Sequence, residues 1–168
     1  MHYLRFLLPL ALLALAPAAA QTRHDSNAPF DFAADHADLQ DKAGRGILSG
    51  NVVVHQAELT MKSGRATIFY TGTVLEGNVE ASRVDAAGGV TLTRPDQSAS
   101  CDYAIYDLKQ RTILLLGGVV LKQGNNVTRG DRITLDLDAS SARLDAAPGG
   151  RVTGRFSVPQ RAPAVDPK

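Results

Sequence analysis

The sequence predicts an all-β protein. Apolar and polar residues alternate at period two over most of the chain, turn formers interrupt that alternation at short intervals, and no window carries a run at i, i+3, i+4, i+7. Successive strand residues point to opposite faces, so each such segment presents one apolar and one polar face. That is the pattern of antiparallel sheets packed on one side.

Taken in order, Phe30 and Phe32 alternate with Asp31 in a first strand, and Leu48, Gly50, Val52 and Val54 share one face of the next. Leu59 with Met61, Ala66 with Ile68, and Val90 with Leu92 keep the same parity, as do Ala104, Tyr106 and Leu108. Ile113, Leu115, Gly117, Val119 and Leu121 follow, then Ile133, Leu135 and Leu137. A last strand is expected from Arg151 to Val158, with Val152, Phe156 and Val158 on one parity. Recurrence sharpens the pattern. Asp102 to Leu108 and Asp131 to Leu137 share an Asp-x4-Asp-Leu frame 29 positions apart. Ser82-Arg83-Val84-Asp85-Ala86-Ala87 returns as Ala142-Arg143-Leu144-Asp145-Ala146-Ala147, and Gly-x-Val recurs at Gly50, Gly77, Gly88 and Gly117. Units of strand, turn and strand that cannot bury an apolar face alone are predicted to stack into a continuous two-walled sheet.

The ends differ from this middle. His2 and Arg5 precede an apolar run from Phe6 to Leu15, broken at Pro9, and Pro17 precedes Ala18-Ala19-Ala20. That order predicts a cleaved signal peptide over residues 1–20, a mature start at Gln21 and export from the cytoplasm. The run is shorter than the ~20 apolar residues of a spanning helix. Residues 21–28 are polar and read as a flexible arm, residues 29–158 as one β domain, and residues 159–168, with three prolines, as a disordered tail. A formal net charge of +1 gives no sign of a nucleic-acid partner. The single cysteine, Cys101, rules out an internal disulfide and reads as a small buried hydrophobe.

Catalytic constellations do not emerge. Asp35, Asp38 and Asp41 recur every third residue, which puts neighbours on opposite faces of a strand, so they read as turn and surface carboxylates. His24, His36 and His55 have no metal-ligand spacing, and neither a nucleophile motif nor a phosphate loop occurs. The reading is not an enzyme, with no cofactor and no metal.

Leu48-Ser49-Gly50-Asn51-Val52-Val53-Val54-His55-Gln56, followed by Leu59-Thr60-Met61-Lys62, resembles the opening repeat of the lipopolysaccharide-transport protein A (OstA-like) family. Ser98-Ala99-Ser100, Tyr106-Asp107-Leu108, Leu115-Leu116-Gly117, Leu121-Lys122-Gln123 and Gly130-Asp131-Arg132-Ile133-Thr134 follow in that family's order, and Pro29-Phe30-Asp31-Phe32 matches its first strand. The likeness runs from Pro29 to Pro159, with Gly118 where an Asn is common and a loose fit over Tyr70 to Arg83. It implies an OstA-like β-jellyroll of two facing antiparallel sheets, open at both ends. It further implies a periplasmic bridge that stacks head to tail between an inner-membrane lipopolysaccharide export complex and an outer-membrane insertion barrel.

The physics of the cargo fits such a fold. Exposing one buried CH2 to water costs about 0.8 kcal/mol, so a lipid A with dozens of methylenes loses tens of kcal/mol in open solvent. A carrier must cover the acyl chains and leave the glycan outside, and an open-sided sandwich with aliphatic inner faces does this. The groove interior is expected to include Phe30, Phe32, Val52, Val54, Leu92, Tyr106, Leu108, Leu115, Ile133 and Leu135. Phe30, Phe32, Leu92, Tyr106 and Leu108 also coincide with the positions that the resemblance implies for lipid contact. A domain of ~130 residues spans only on the order of 40 Å, so head-to-tail self-association would supply the length of a bridge. Two other functions fit the same pattern: a membrane-anchored member of that transport system, and a structural or polysaccharide-binding β-solenoid of the envelope.

Overall fold

The computed structural model describes residues 24–158. The expected leader at 1–20 and tail at 159–168 lie outside them. The elements are β1 (Phe30–Ala33), β2 (His36–Gln40), β3 (Arg45–Gln56), β4 (Leu59–Thr71), β5 (Glu80–Arg94), β6 (Gln97–Asp107), β7 (Thr112–Gln123), β8 (Asn126–Asp136), β9 (Ser141–Asp145) and β10 (Thr153–Arg155). All pairings are antiparallel and form one ten-stranded sheet ordered β1-β3-β4-β5-β6-β7-β8-β10, with β2 also on β3 and β9 also on β8. The path does not close into a barrel, because β1 and β2 pair only with β3, and β9 and β10 only with β8.

Six of these strands, β3 to β8, are longer than any unit read from the sequence, because a row of bulges crosses them at mid-length and joins two units in each. The ladder shifts register between Ser49 and Val52, Lys62 and Arg65, Ala87 and Val90, Ser100 and Tyr103, and Leu116 and Val119. Those shifts line up across the sheet. A bulge bends its strand, and a row of them folds the sheet along one crease into two facing walls. The first wall holds β2, β9 and the strand halves that end in the turns near residues 41–44, 72–79, 108–111 and 137–140. The second holds β1, β10 and the halves that end in the tight hairpins Gln56–Leu59, Arg94–Gln97 and Gln123–Asn126.

The crease explains the glycines. Gly50 and Asn51 have φ of 76° and 46°, and Gly117 and Gly118 have 79° and 52°, the same two-residue left-handed step. A Cβ on Gly50 would overlap the Asp35 carboxylate, and one on Gly117 would overlap that of Asp102. Gly50 therefore does not simply share the strand face expected for it. It makes the bend that lets Leu48 and Val52 both face inward, each about 1% exposed or less.

The Asp-x4-Asp-Leu frame measures one half-strand, from crease to turn. Asp107 Oδ1 accepts the Gln110 amide at 2.8 Å, and Asp136 Oδ1 accepts the Ala139 amide at 2.8 Å. Arg111 and Ser140, with φ of 53° and 49°, complete matching turns. The expected last strand from Arg151 to Val158 is shorter. Only Thr153–Arg155 pairs, opposite Arg129 to Val127, because β8 begins at Asn126 and there the ladder gives way to a side-chain contact, with Asn126 Oδ1 accepting from the Ser157 amide at 2.8 Å.

Rows of paired residues cross each wall. Leu48, Ala66, Ala86, Ala104, Leu115 and Ile133 stand in one continuous row of the first wall and are all 2% exposed or less. Val54, Met61, Leu92 and Ala99 form the matching row of the second wall. Each fully buried aliphatic contributes about 1.5–3 kcal/mol relative to exposure, so the two rows pressed together are the core.

Candidate functional site

Nine of the ten residues expected in the groove are buried in the apolar core between the walls or packed against it. Phe30, Phe32, Val52, Val54 and Leu92 belong to the second wall, while Tyr106, Leu108, Leu115, Ile133 and Leu135 belong to the first. Val52, Val54, Leu92, Tyr106, Leu115 and Ile133 are buried, and Phe30, Leu108 and Leu135 pack half-buried against them. Phe32 stands apart. It pairs with Val54 and shares its face, yet is 46% exposed, because β1 is the edge and no strand covers it.

The opposite end mirrors this. Gly154 pairs with Thr128, which pairs with Leu121 of the inward row, and the Phe156 ring lies on the Cβ side of Gly154. Val152 and Phe156 are 42% and 70% exposed. Each open end thus presents uncovered aromatic surface on the inner face.

Along its hairpin side the sandwich has a slot. A cleft of about 360 Å³ separates the second-wall lip, with Glu58, Arg94, Asp96, Gln97 and Gln123, from the first-wall lip at Asp136 and Ser140 to Ala142. Its floor includes Leu121 and Leu135. A smaller apolar recess of about 30 Å³ continues inward between Leu59, Leu92, Ile113, Leu121, Leu135 and Leu137. Polar lips over an apolar floor suit a molecule with fatty tails and a hydrophilic head.

Towards β1 the slot is bridged. The Tyr106 hydroxyl on the first wall donates to Gln56 Oε1 on the second. His24 Nε2 lies 3.3 Å from both of these atoms. Gln56 Nε2 donates to the carbonyls of Ser26 and Ala28, each at 3.1 Å, and Arg111 Nη2 donates to Asn27 Oδ1 at 3.1 Å. Burial pushes the Tyr106 hydroxyl up to about 12, so it remains a donor over the whole physiological range. Residues 24–28, read from sequence as part of an arm, lie against the walls here, and His24 is 7% exposed.

Sequence reasoning found the apolar lining and missed this polar bridge. Gln56 had a signal, since it continues the parity of Val52 and Val54 and a buried amide on an apolar face needs partners. His24 had none, because its partners lie 32 and 82 positions away. Cys101 is buried, its Sγ donating to the Tyr103 carbonyl at 3.1 Å, and burial raises its thiol to about 11. Asp41 anchors a turn, accepting from the Tyr70 hydroxyl at 2.9 Å and the Val74 amide at 3.3 Å. Among the described residues, no group of three or more His, Cys, Asp or Glu is placed to hold a metal ion, and no helix is long and apolar enough to cross a membrane.

Residues 32–141 match a family described as the LptA/(LptD N-terminal domain) LPS transport protein. An uncharacterized protein of Rhizobium meliloti (strain 1021) is 35% identical over 128 residues, which cover 74% of this chain and 68% of that protein. The crystal structure of LptH from Pseudomonas aeruginosa, described as the LptA homologous periplasmic component of the conserved lipopolysaccharide transport device, is similar in fold. It superimposes with a TM-score of 0.70 at 21% identity, covering 80% of this chain and 99% of that one.

Proposed function

This chain belongs to the LptA/(LptD N-terminal domain) LPS transport protein family, and on that premise we propose that it is a periplasmic carrier. In this reading it holds the acyl chains of lipopolysaccharide between its two walls and passes them along a bridge from the inner to the outer membrane. The observation that supports the reading is an interior lined by apolar side chains from both walls, Val52, Val54 and Leu92 from one and Tyr106, Leu115 and Ile133 from the other, that opens at a slot and at both ends. Acyl chains would lie on this inner face, while the glycan would project through the slot between the polar lips. No step needs a catalytic group, so the protein is a carrier and not an enzyme, and the energy for movement comes from its partners.

Bridging uses the open ends. Unpaired strand edges are a hazard that proteins normally cover, but here β1 of one copy and β10 of the next would extend one sheet by strand addition. The uncovered Phe32 and Phe156 would then be buried at the joint, and the two interiors would become continuous. The same edges would dock the inner-membrane export complex and the outer-membrane insertion barrel.

Purified mature protein and a Phe32→Asp variant, each titrated with radiolabelled lipopolysaccharide, test the reading. A carboxylate on the inner face should weaken binding by about tenfold or more, since removing an aromatic from an apolar contact costs about 1.4 kcal/mol or above. Equal binding by the variant would remove Phe32 from the groove, and an absence of binding by the wild type would overturn the carrier reading.

A further inference from the structure

We propose that residues 24–28 are a strap that clamps the two walls at the β1 end of the groove and leaves when acyl chains fill it. The segment lies across the slot and bonds to both sides. Gln56 of β3 holds its carbonyls at Ser26 and Ala28, and Arg111, in the turn after β6, holds Asn27 while also contacting Asp138 at 3.2 Å. The His24 ring lies 3.3 Å from both Gln56 and Tyr106, and Gln56 pairs with the expected groove residue Phe30. The strap therefore occupies the interior itself at this end, while the slot beyond it is open.

Its seat is imperfect. His24 Nδ1 is buried with no hydrogen-bond partner, and the nearest carboxylate, that of Glu58, is 3.9 Å away and shared with Arg94. A buried polar atom left unpaired is costly, so the strap is held less firmly than the aliphatic rows behind it. Among the described residues, the chain joins it to a strand on the Pro29 side. A segment of this kind opens locally without unfolding the sheet. The amide of Gln56 and the hydroxyl of Tyr106 stay bonded to each other when it goes, which lowers the cost of release. Fatty chains entering this end need the volume of the His24 ring, so the strap and the ligand exclude one another.

The strap matters for transport only if the groove takes acyl chains, and the test separates the two questions. Asp25 is exposed and its carboxylate bonds within the segment, to the Asn27 amide, so Asp25→Cys accepts a nitroxide label without cutting a tie to the walls, with Cys101 buried. The labelled protein is titrated with lipopolysaccharide and, separately, with a single-chain fluorescent acyl probe such as dansyl-undecanoate. Bound probe should raise label mobility, and unlabelled His24→Ala protein should bind the probe roughly three- to tenfold more tightly, because the competing closed state is depleted. Probe that binds while the label stays immobile, or a His24→Ala affinity equal to wild type, overturns the strap. Probe that binds and frees the label while lipopolysaccharide does not bind upholds the strap and removes lipopolysaccharide as the cargo. Failure of both ligands to bind removes the groove, and the strap's role with it.

Discussion

Gly50 and Gly117 carry the crease, each through a positive φ and close approach to an aspartate: Asp35, in the link between β1 and β2, for Gly50, and Asp102 of β6 for Gly117. Gly117→Ala adds a Cβ into the Asp102 carboxylate in a backbone region that L-residues disfavour, and it should lower stability by about 1–3 kcal/mol. A thermal melt would show this as a midpoint reduced by several degrees. Gly118→Asn is the contrasting change. Nothing lies within 4 Å of a Cβ there, and Asn51 holds the equivalent place in β3 with φ of 46°. It should leave the midpoint within about a degree, because Asn tolerates the left-handed region. Cys101 makes a different kind of prediction. A thiol held near 11 and 7% exposed has almost no thiolate at neutral pH. Maleimide at pH 7.5 should leave the folded protein largely unlabelled over the time in which the urea-unfolded chain reacts fully. Rapid labelling of the native state would show that the β6 crease opens.

The long strands draw on two kinds of information. Parity along each half-strand is local, and it assigned Val52, Val54, Leu92, Tyr106, Leu115 and Ile133 to one interior. The joints between halves were marked by Gly-x-Val and by the spacing of Asp102 and Asp131, yet the period-two reading ran Leu48, Gly50 and Val52 as one uninterrupted face. A two-residue bulge preserves parity, so alternation alone does not distinguish a straight strand from one folded through a crease. The terminal strands were legible for a related reason: Phe30 and Phe32 alternate strongly, while Val152 to Val158 alternate as well but find a partner only at Thr153 to Arg155. What remains of that alternation is exposed surface at the open end. In the proposed bridge, Phe156→Asp should therefore weaken head-to-tail self-association by about tenfold or more. Sedimentation equilibrium across a concentration series measures it, and unchanged association would place the joint elsewhere.

Across the whole molecule, the two walls are tied by the apolar core and by the polar bridge of Tyr106, Gln56 and His24. The bridge gives the stability an alkaline limit. In the unfolded chain Tyr106 releases its proton near 10.0, whereas in the fold burial holds it to about 12. Between those values the unfolded state binds fewer protons than the folded one, so stability is fully present below pH 10 and falls as pH rises to 12. The loss amounts to roughly 1–3 kcal/mol. Cys101, raised from 9.0 to about 11, adds a fall of the same sign that begins one unit lower. Urea unfolding in a Cys101→Ala background, with and without Tyr106→Phe, isolates the tyrosine. The Phe variant should start about 1 kcal/mol less stable for the lost hydrogen bond and show a flatter decline between pH 10 and 12.

Strand parity, turn chemistry and the position of the glycines were written in the order of the amino acids, because each depends on a few consecutive residues and on backbone geometry. From them came the all-β class, the apolar lining and the family likeness. Which faces meet is not a local property. The crease had to fold the sheet before Phe30, Leu92 and Tyr106 shared an interior, before Phe32 and Phe156 became the uncovered ends, and before a polar stretch around His24 acquired a seat. Those contacts join residues up to 84 positions apart, and no short window of sequence holds both halves of such a pair.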